Sequence, residues 1–275
     1  MNLSTKALVA AALTVAPAIL LSKPAEAGVG DLLVAPTRLV LNGGRGAEII
    51  LNNIGDEPAT YRISVEFRRM NPNGTLDEVE EPTDAEKIAR DMIVYAPRRV
   101  TLAPNEPQSI RISARPPQGL PDGEYRIHML FRAIPPATPV AKAASAPANG
   151  LSFRLTPVYG VTIPVIVRLG NLDVQAAISN VRLEQRDGKP AIAAEISRSG
   201  RRSTFGEVRV LKPGVKDPIG VQRAVAVYTE IDRRSVVVPV SEDFKGAIAG
   251  PVTVQYIETY DDGTKTIAET QAVLR

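Results

Sequence analysis

LSFRLTPVYGVTIPVIVR, residues 151–168, is the stretch that decides the fold class. Its odd positions are Leu151, Phe153, Leu155, Pro157, Tyr159, Val161, Ile163, Val165 and Val167, all apolar, while Ser152, Arg154, Thr156, Thr162 and Arg168 fall between them. Alternation with period two places alternate side chains on one face of a pleated strand. At about 3.3 Å per residue the row spans roughly 50 Å, about three times the usual strand. Such a strand outruns one sandwich, so part of the apolar row lies outside its own core. On a sheet edge it is an aggregation hazard unless a partner covers it. Periodicity alone leaves a second arrangement open, two shorter core strands broken at Pro157 or Gly160.

The surrounding chain is written in the same style. Ahead of the stretch, residues 134–150 are rich in Pro and Ala and nearly uncharged, which predicts a loop without a core of its own. Earlier, residues 48–51, 61–67, 109–113 and 125–129 alternate apolar and polar, with turn chemistry between them at residues 42–44, 55–58, 71–74, 103–105 and 121–123. One helical turn is expected at residues 84–90, after Pro82. Beyond Gly170 the pattern repeats in six further runs, with Asp261-Asp262-Gly263 read as a hairpin turn. Short strands about ten residues apart predict an all-β chain of two sandwiches in tandem. The expected division is residues 28–169 and 170–275.

Residues 1–27 read as a secretory signal: Lys6, an apolar run from Ala7 to Leu21, then small residues at Ala25 and Ala27 before Gly28. The run is interrupted by Pro17 and is shorter than the roughly 20 residues that span a bilayer. Cleavage removes Lys6, Lys23 and Glu26, so 33 basic and 30 acidic residues become 31 and 29. A surplus of that size is no basic face for nucleic acid. The mature chain is expected to be exported, with no membrane span.

The 275 residues include no Cys, no Trp and one His. This excludes disulfides, thiolate nucleophiles, Cys-ligated zinc and multi-histidine metal sites. A serine nucleophile would have to recruit His128 as its base, and no motif supplies the partners. His128 is read as lying beside Arg126 on the solvent-facing phase of its strand. Gly43-Gly44-Arg45-Gly46 resembles a phosphate cradle but is read as a strand-to-strand turn, since no helix pattern follows it. Asp77, Glu78, Glu80 and Glu81 lack calcium-loop spacing and are read as a solvated loop. No catalytic residue, metal or cofactor is expected.

Residues 30–170 resemble the periplasmic chaperones of pilus (fimbrial) assembly, the PapD-like family. The resemblance rests on Pro36-Thr37-Arg38-Leu39-Val40 in the first strand and on the strand from Glu48 into Asn52-Asn53. It continues through residues 95–104, leading to Ser109-Ile110-Arg111-Ile112, and through Phe131-Arg132-Ala133-Ile134-Pro135-Pro136 before the loop and the alternating strand. It implies two immunoglobulin-like domains, a periplasmic location, and capping of pilus subunits by donor-strand complementation before delivery to an outer-membrane usher. It further implies Arg38 as the anchor for a subunit's terminal carboxylate. Leu151, Phe153, Leu155, Pro157, Tyr159 and Val161 become the groove-filling row. The family's second anchor, a lysine, falls at Pro164 here, which offers neither a side-chain nor a backbone donor. Either another cation joins Arg38, with Arg154 and Arg168 as candidates and Arg98 and Arg99 also within the resemblance, or the anchor is altered or absent. The alternative is an exported structural or adhesive sandwich protein that forms a homodimer through the long edge strand.

Overall fold

The computed structural model describes residues 31–135, 158–260 and 263–275. The expectations for the signal segment, for the loop at 136–150, for Leu151, Phe153, Arg154, Leu155 and Pro157, and for Asp261 and Asp262 lie outside the described residues.

Alternation does build the chain. The first half contributes β1 (Leu32–Ala35), β2 (Leu39–Asn42), β3 (Ala47–Asn53), β4 (Ala59–Glu66), β5 (Arg68–Met70), β6 (Leu76–Glu78), α1 (Asp84–Met92), β7 (Ile93–Ala96), β8 (Arg99–Leu102), β9 (Pro107–Ala114), β10 (Gly123–Ile134) and β11 (Gly160–Leu169). Two sheets, ordered β1-β3-β9-β7 and β2-β11-β10-β4-β8, close on a core that includes Leu41, Ile49, Leu51, Tyr61, Ile110, Met129, Phe131 and Val165. The second half adds β12 (Val174–Arg186), β13 (Lys189–Gly200), β14 (Thr204–Leu211), β15 (Gly220–Val227), β16 (Arg233–Pro239), β17 (Gly250–Tyr260) and β18 (Gly263–Leu274). Its sheets, β12-β13-β16 and β15-β14-β17-β18, enclose a separate core around Ile192, Ile196, Val208, Val238, Val254 and Tyr256. No sheet joins described strands from the two sides of Gly170. The fold is all-β, two immunoglobulin-like sandwiches in tandem.

The expected helical turn is α1. Thr83 and Glu86 form a capping box, and Glu86 also takes Arg69 Nε at 2.8 Å and Nη2 at 2.6 Å. Arg69 first, then the Thr83 cap, hold the Glu86 carboxyl at about 2. Ala89 and Met92 bury into the first core.

Two readings are corrected. Arg38 stands in the bend of residues 36–38, where the chain leaves the β1 sheet and enters the β2 sheet, and is not within a strand. His128 does sit on the face of β10 opposite the first core, but that face is covered by the second sandwich: His128 is 1% exposed, with its ring 6.4 Å from that of Tyr228. Neither ring nitrogen has a hydrogen-bond partner among the described residues, and burial, then the nearby Arg126 and Arg68, lower its pKa to about 3. Ile166 lies on the same face, fully buried against Met70, Ala226 and Tyr228.

Polar contacts complete this junction. Arg126 grips Glu230 with both nitrogens, at 2.9 and 2.5 Å, and lies over the Tyr228 ring at 3.8 Å. The β5–β6 hairpin reaches across too. Ser235 N donates to Pro72 O at 2.7 Å and Met70 N to Glu230 Oε1 at 2.8 Å. Gly74 (φ +86°) lies so close to the Arg234 guanidinium that a Cβ would come within 2.4 Å of it.

Candidate functional site: an open strand edge ending at Arg38

β11 pairs antiparallel with β10 along Gly160–Leu169, but β2 reaches only its second half, from Leu39 opposite Val165 to Asn42 opposite Arg168. Ala133 N donates to Tyr159 O at 2.9 Å, so odd residues of β11 turn their main-chain groups toward β10. Even residues turn theirs the other way, as the bond from Gly43 N to Arg168 O shows. Gly160 and Thr162 therefore direct their main-chain groups to an edge with no strand partner among the described residues, and Pro164 stands at its inner limit, where the pairing with β2 begins. Proline is tolerated at an edge because it leaves no donor unpaired there. Gly160 itself is tightly placed, since a Cβ would come within 3.0 Å of Leu130 Cδ1.

The apolar row divides along its length. Ile163, Val165 and Val167 are buried in the first core; Val161 is half-buried against it, and Tyr159 is 55% exposed. Of the groove-filling candidates that are described, Tyr159 is free of its own core and Val161 is partly engaged by it. The expectation that part of the row lies outside the core holds at Tyr159. β11 begins at Gly160, Val158 and Tyr159 precede it outside the strand, and the residues before Val158 lie outside the described ones.

The parallel register of β2 and β11 puts Arg38 level with Pro164, at the inner end of the open edge. Its Nη2 lies 3.4 Å from Ser203 Oγ, its guanidinium carbon lies over the Phe205 ring at 4.7 Å from the centroid, and its Nε is buried without a partner among the described residues. No described carboxylate makes an ion pair with it. Burial chiefly, then the charge of Arg168, push its pKa below the ordinary arginine value, against partial relief from Tyr228, Glu124 and Glu258. The site is a partly desolvated cation in need of an anion.

Its neighbours differ. Arg168 is neutralised by Glu124 at 3.0 Å, with side chains 19% and 0% exposed, and its Nη2 donates to Ser203 O at 3.2 Å. Glu124 in turn accepts from Ser203 N at 3.0 Å. Arg168 thus fastens the two sandwiches together and is not a spare cation for a ligand. Arg202 is bound to both oxygens of Glu258 at 2.8 and 3.0 Å. Arg98 and Arg99 are excluded by position: β8 lies four strands from β2 in the sheet, roughly 19 Å away at strand spacing. The contribution of the second sandwich, Ser203 and Phe205, had no signal in the sequence, because it depends on how two domains meet.

No family model matches the chain, and no curated protein matches it in sequence. Among solved structures it is similar to the E. coli chaperone DraB (17% identity, 90% of this chain and 98% of that one, TM-score 0.46). It is similar to the Pseudomonas aeruginosa CupB2 chaperone (14%, 88% and 100%, TM-score 0.46). It is also similar to the Salmonella enterica SafA pilin in complex with the SafB chaperone (16%, 89% of this chain and 96% of that one, TM-score 0.43).

Proposed function

We propose that the chain, cut after residue 27 and divided at residue 170, is a periplasmic chaperone that caps pilus subunits by donor-strand complementation and hands them to an outer-membrane usher, without catalytic turnover. The observation that carries this reading is the edge of β11, open among the described residues and ending at an arginine that no described carboxylate pairs with. A chain laid along Gly160–Pro164 with its C-terminus at Arg38 runs in the direction of β11. Main-chain hydrogen bonds then supply affinity and alternate side chains supply fit. Residues 151–163 pair with the subunit edge, and Leu151, Phe153, Leu155, Pro157 and Tyr159 fill its groove, with Val161 at the inner limit. Arg38 meets the terminal carboxylate through a charge-assisted hydrogen bond.

The test is co-purification from the periplasm with a tagged copy. Leu155→Asp and Tyr159→Asp are expected to abolish subunit capture with folding intact. Wild-type yields of bound subunit from both would refute the reading. Size-exclusion chromatography with light scattering separates it from self-association through the same edge: a chaperone is displaced into a one-to-one complex by subunit, whereas an adhesive sandwich remains a homodimer.

A further inference from the structure

We infer that Phe205 of the second sandwich is a positioning residue for Arg38, so that the anion site on the first sandwich is complete only while the two sandwiches are docked. The inference rests on reading Arg38 as a carboxylate anchor.

A free arginine side chain has four rotatable bonds, and a ligand that must order them loses affinity in doing so. Here the guanidinium carbon lies over the Phe205 ring, 4.7 Å from its centroid. That contact restrains the guanidinium plane, and a guanidinium so held offers a carboxylate two parallel hydrogen bonds at lower ordering cost. Ser203 Oγ, fully buried and 3.4 Å from Nη2, limits rotation within that plane.

Phe205 is itself held. Its N donates to Glu258 Oε1 at 3.3 Å, and Glu258 is clamped by Arg202. Behind it Gly206 packs so tightly on β17 that a Cβ would overlap Ile257 O. The Arg168–Glu124–Ser203 link pins this start of β14 to the end of β11. Orientation matters more here than at a two-cation site: with Pro164 level with Arg38 and Arg168 held by Glu124, the Arg38 guanidinium is, among the described residues, the one that can serve both carboxylate oxygens.

The experiment uses the whole mature chain, labelled with 15N, and follows the Arg38 Nε–Hε resonance, assigned by its loss in Arg38→Lys. Sodium acetate is titrated against sodium chloride at constant ionic strength, with acetamide as the uncharged isostere. In wild type the resonance is expected to shift saturably with acetate and not with chloride or acetamide. Phe205→Leu is expected to weaken acetate about five- to tenfold, and Phe205→Tyr to restore it to within about twofold. Melting midpoints of both variants are measured alongside; a purely structural role for Phe205 would lower the midpoint and leave acetate affinity unchanged. Equal acetate affinity in wild type and Phe205→Leu, or no response of Arg38 to acetate, overturns the inference. Acetate binding as expected, with no pilus subunit captured by wild type, would remove the chaperone reading and leave this one. Subunit capture with Phe205→Leu keeping the wild-type acetate affinity would do the reverse.

Discussion

On one face of the β10–β11 ribbon, Ile127, Met129, Phe131, Ile163, Val165 and Val167 enter the first core; on the other, Glu124, Arg126, His128, Ile166 and Arg168 meet the second sandwich. Both faces are shielded from water, by different chemistry. The first face gains from apolar burial, which is non-directional and tolerates small shifts. The second relies on charges whose worth depends on partners held at hydrogen-bond distance, so that removing one partner strands the other. The first face therefore stabilises a domain, and the second specifies one arrangement of two domains.

The largest effect is expected on the apolar face. Phe131 is fully buried, and Phe131→Ala should cost about 3–5 kcal/mol in denaturant unfolding of the first sandwich. On the polar face, Glu230→Gln leaves Arg126, whose side chain is 9% exposed, without its carboxylate. With Glu230 itself 22% exposed, the expected cost is about 2 kcal/mol. It should appear as separation of one calorimetric transition into two, because docking and not core packing is lost. A single lowered transition in Glu230→Gln, or two transitions in Phe131→Ala, would break the division of labour between the faces.

The polar face should also carry a pH dependence that the apolar face lacks. His128 is buried neutral, with Arg126 and Arg68 facing it, Tyr228 against its ring and Pro164 opposite it in register. Its folded pKa of about 3 lies below the ordinary value, so the unfolded chain binds the proton first as pH falls. Stability from this group is complete above about pH 6.5 and declines toward pH 3, a loss of about 2 kcal/mol between pH 7 and pH 5. His128→Gln should flatten that part of the curve. An unchanged slope would show that the proton enters the folded protein without cost.

This same face marks how far the residues could be read. Alternation located β3, β4, β9 and β10, and the run at 84–90 after Pro82 marked α1, because those signals are local. His128 and Ile166 share one phase of the pleat, yet period two says only which side they occupy, not whether a second domain covers it. The Met70 side chain and the Pro72 carbonyl gave no hint of crossing to the other sandwich, since their partners lie more than 150 residues on. Arg38 stood out through family resemblance alone. What isolates it among the described residues, a carboxylate for Arg168 and none for itself, is a property of three-dimensional pairing.

The smallest effect sharpens the contrast within β11. Its second half is paired on both sides, while Gly160–Pro164 is paired on one, and Pro164 is where the two meet. Pro164→Ala should cost about 0.4–1 kcal/mol, chiefly by loosening the unfolded chain, because the restored N–H points to the open edge and meets water in the monomer. The same N–H completes a donor on an edge already offering the main-chain groups of Thr162 and Gly160. Light scattering of Pro164→Ala at rising concentration should therefore detect more self-association than wild type, since an uninterrupted edge is a template for another strand. Unaltered association with the small stability loss would mean that proline at this position does not guard the edge.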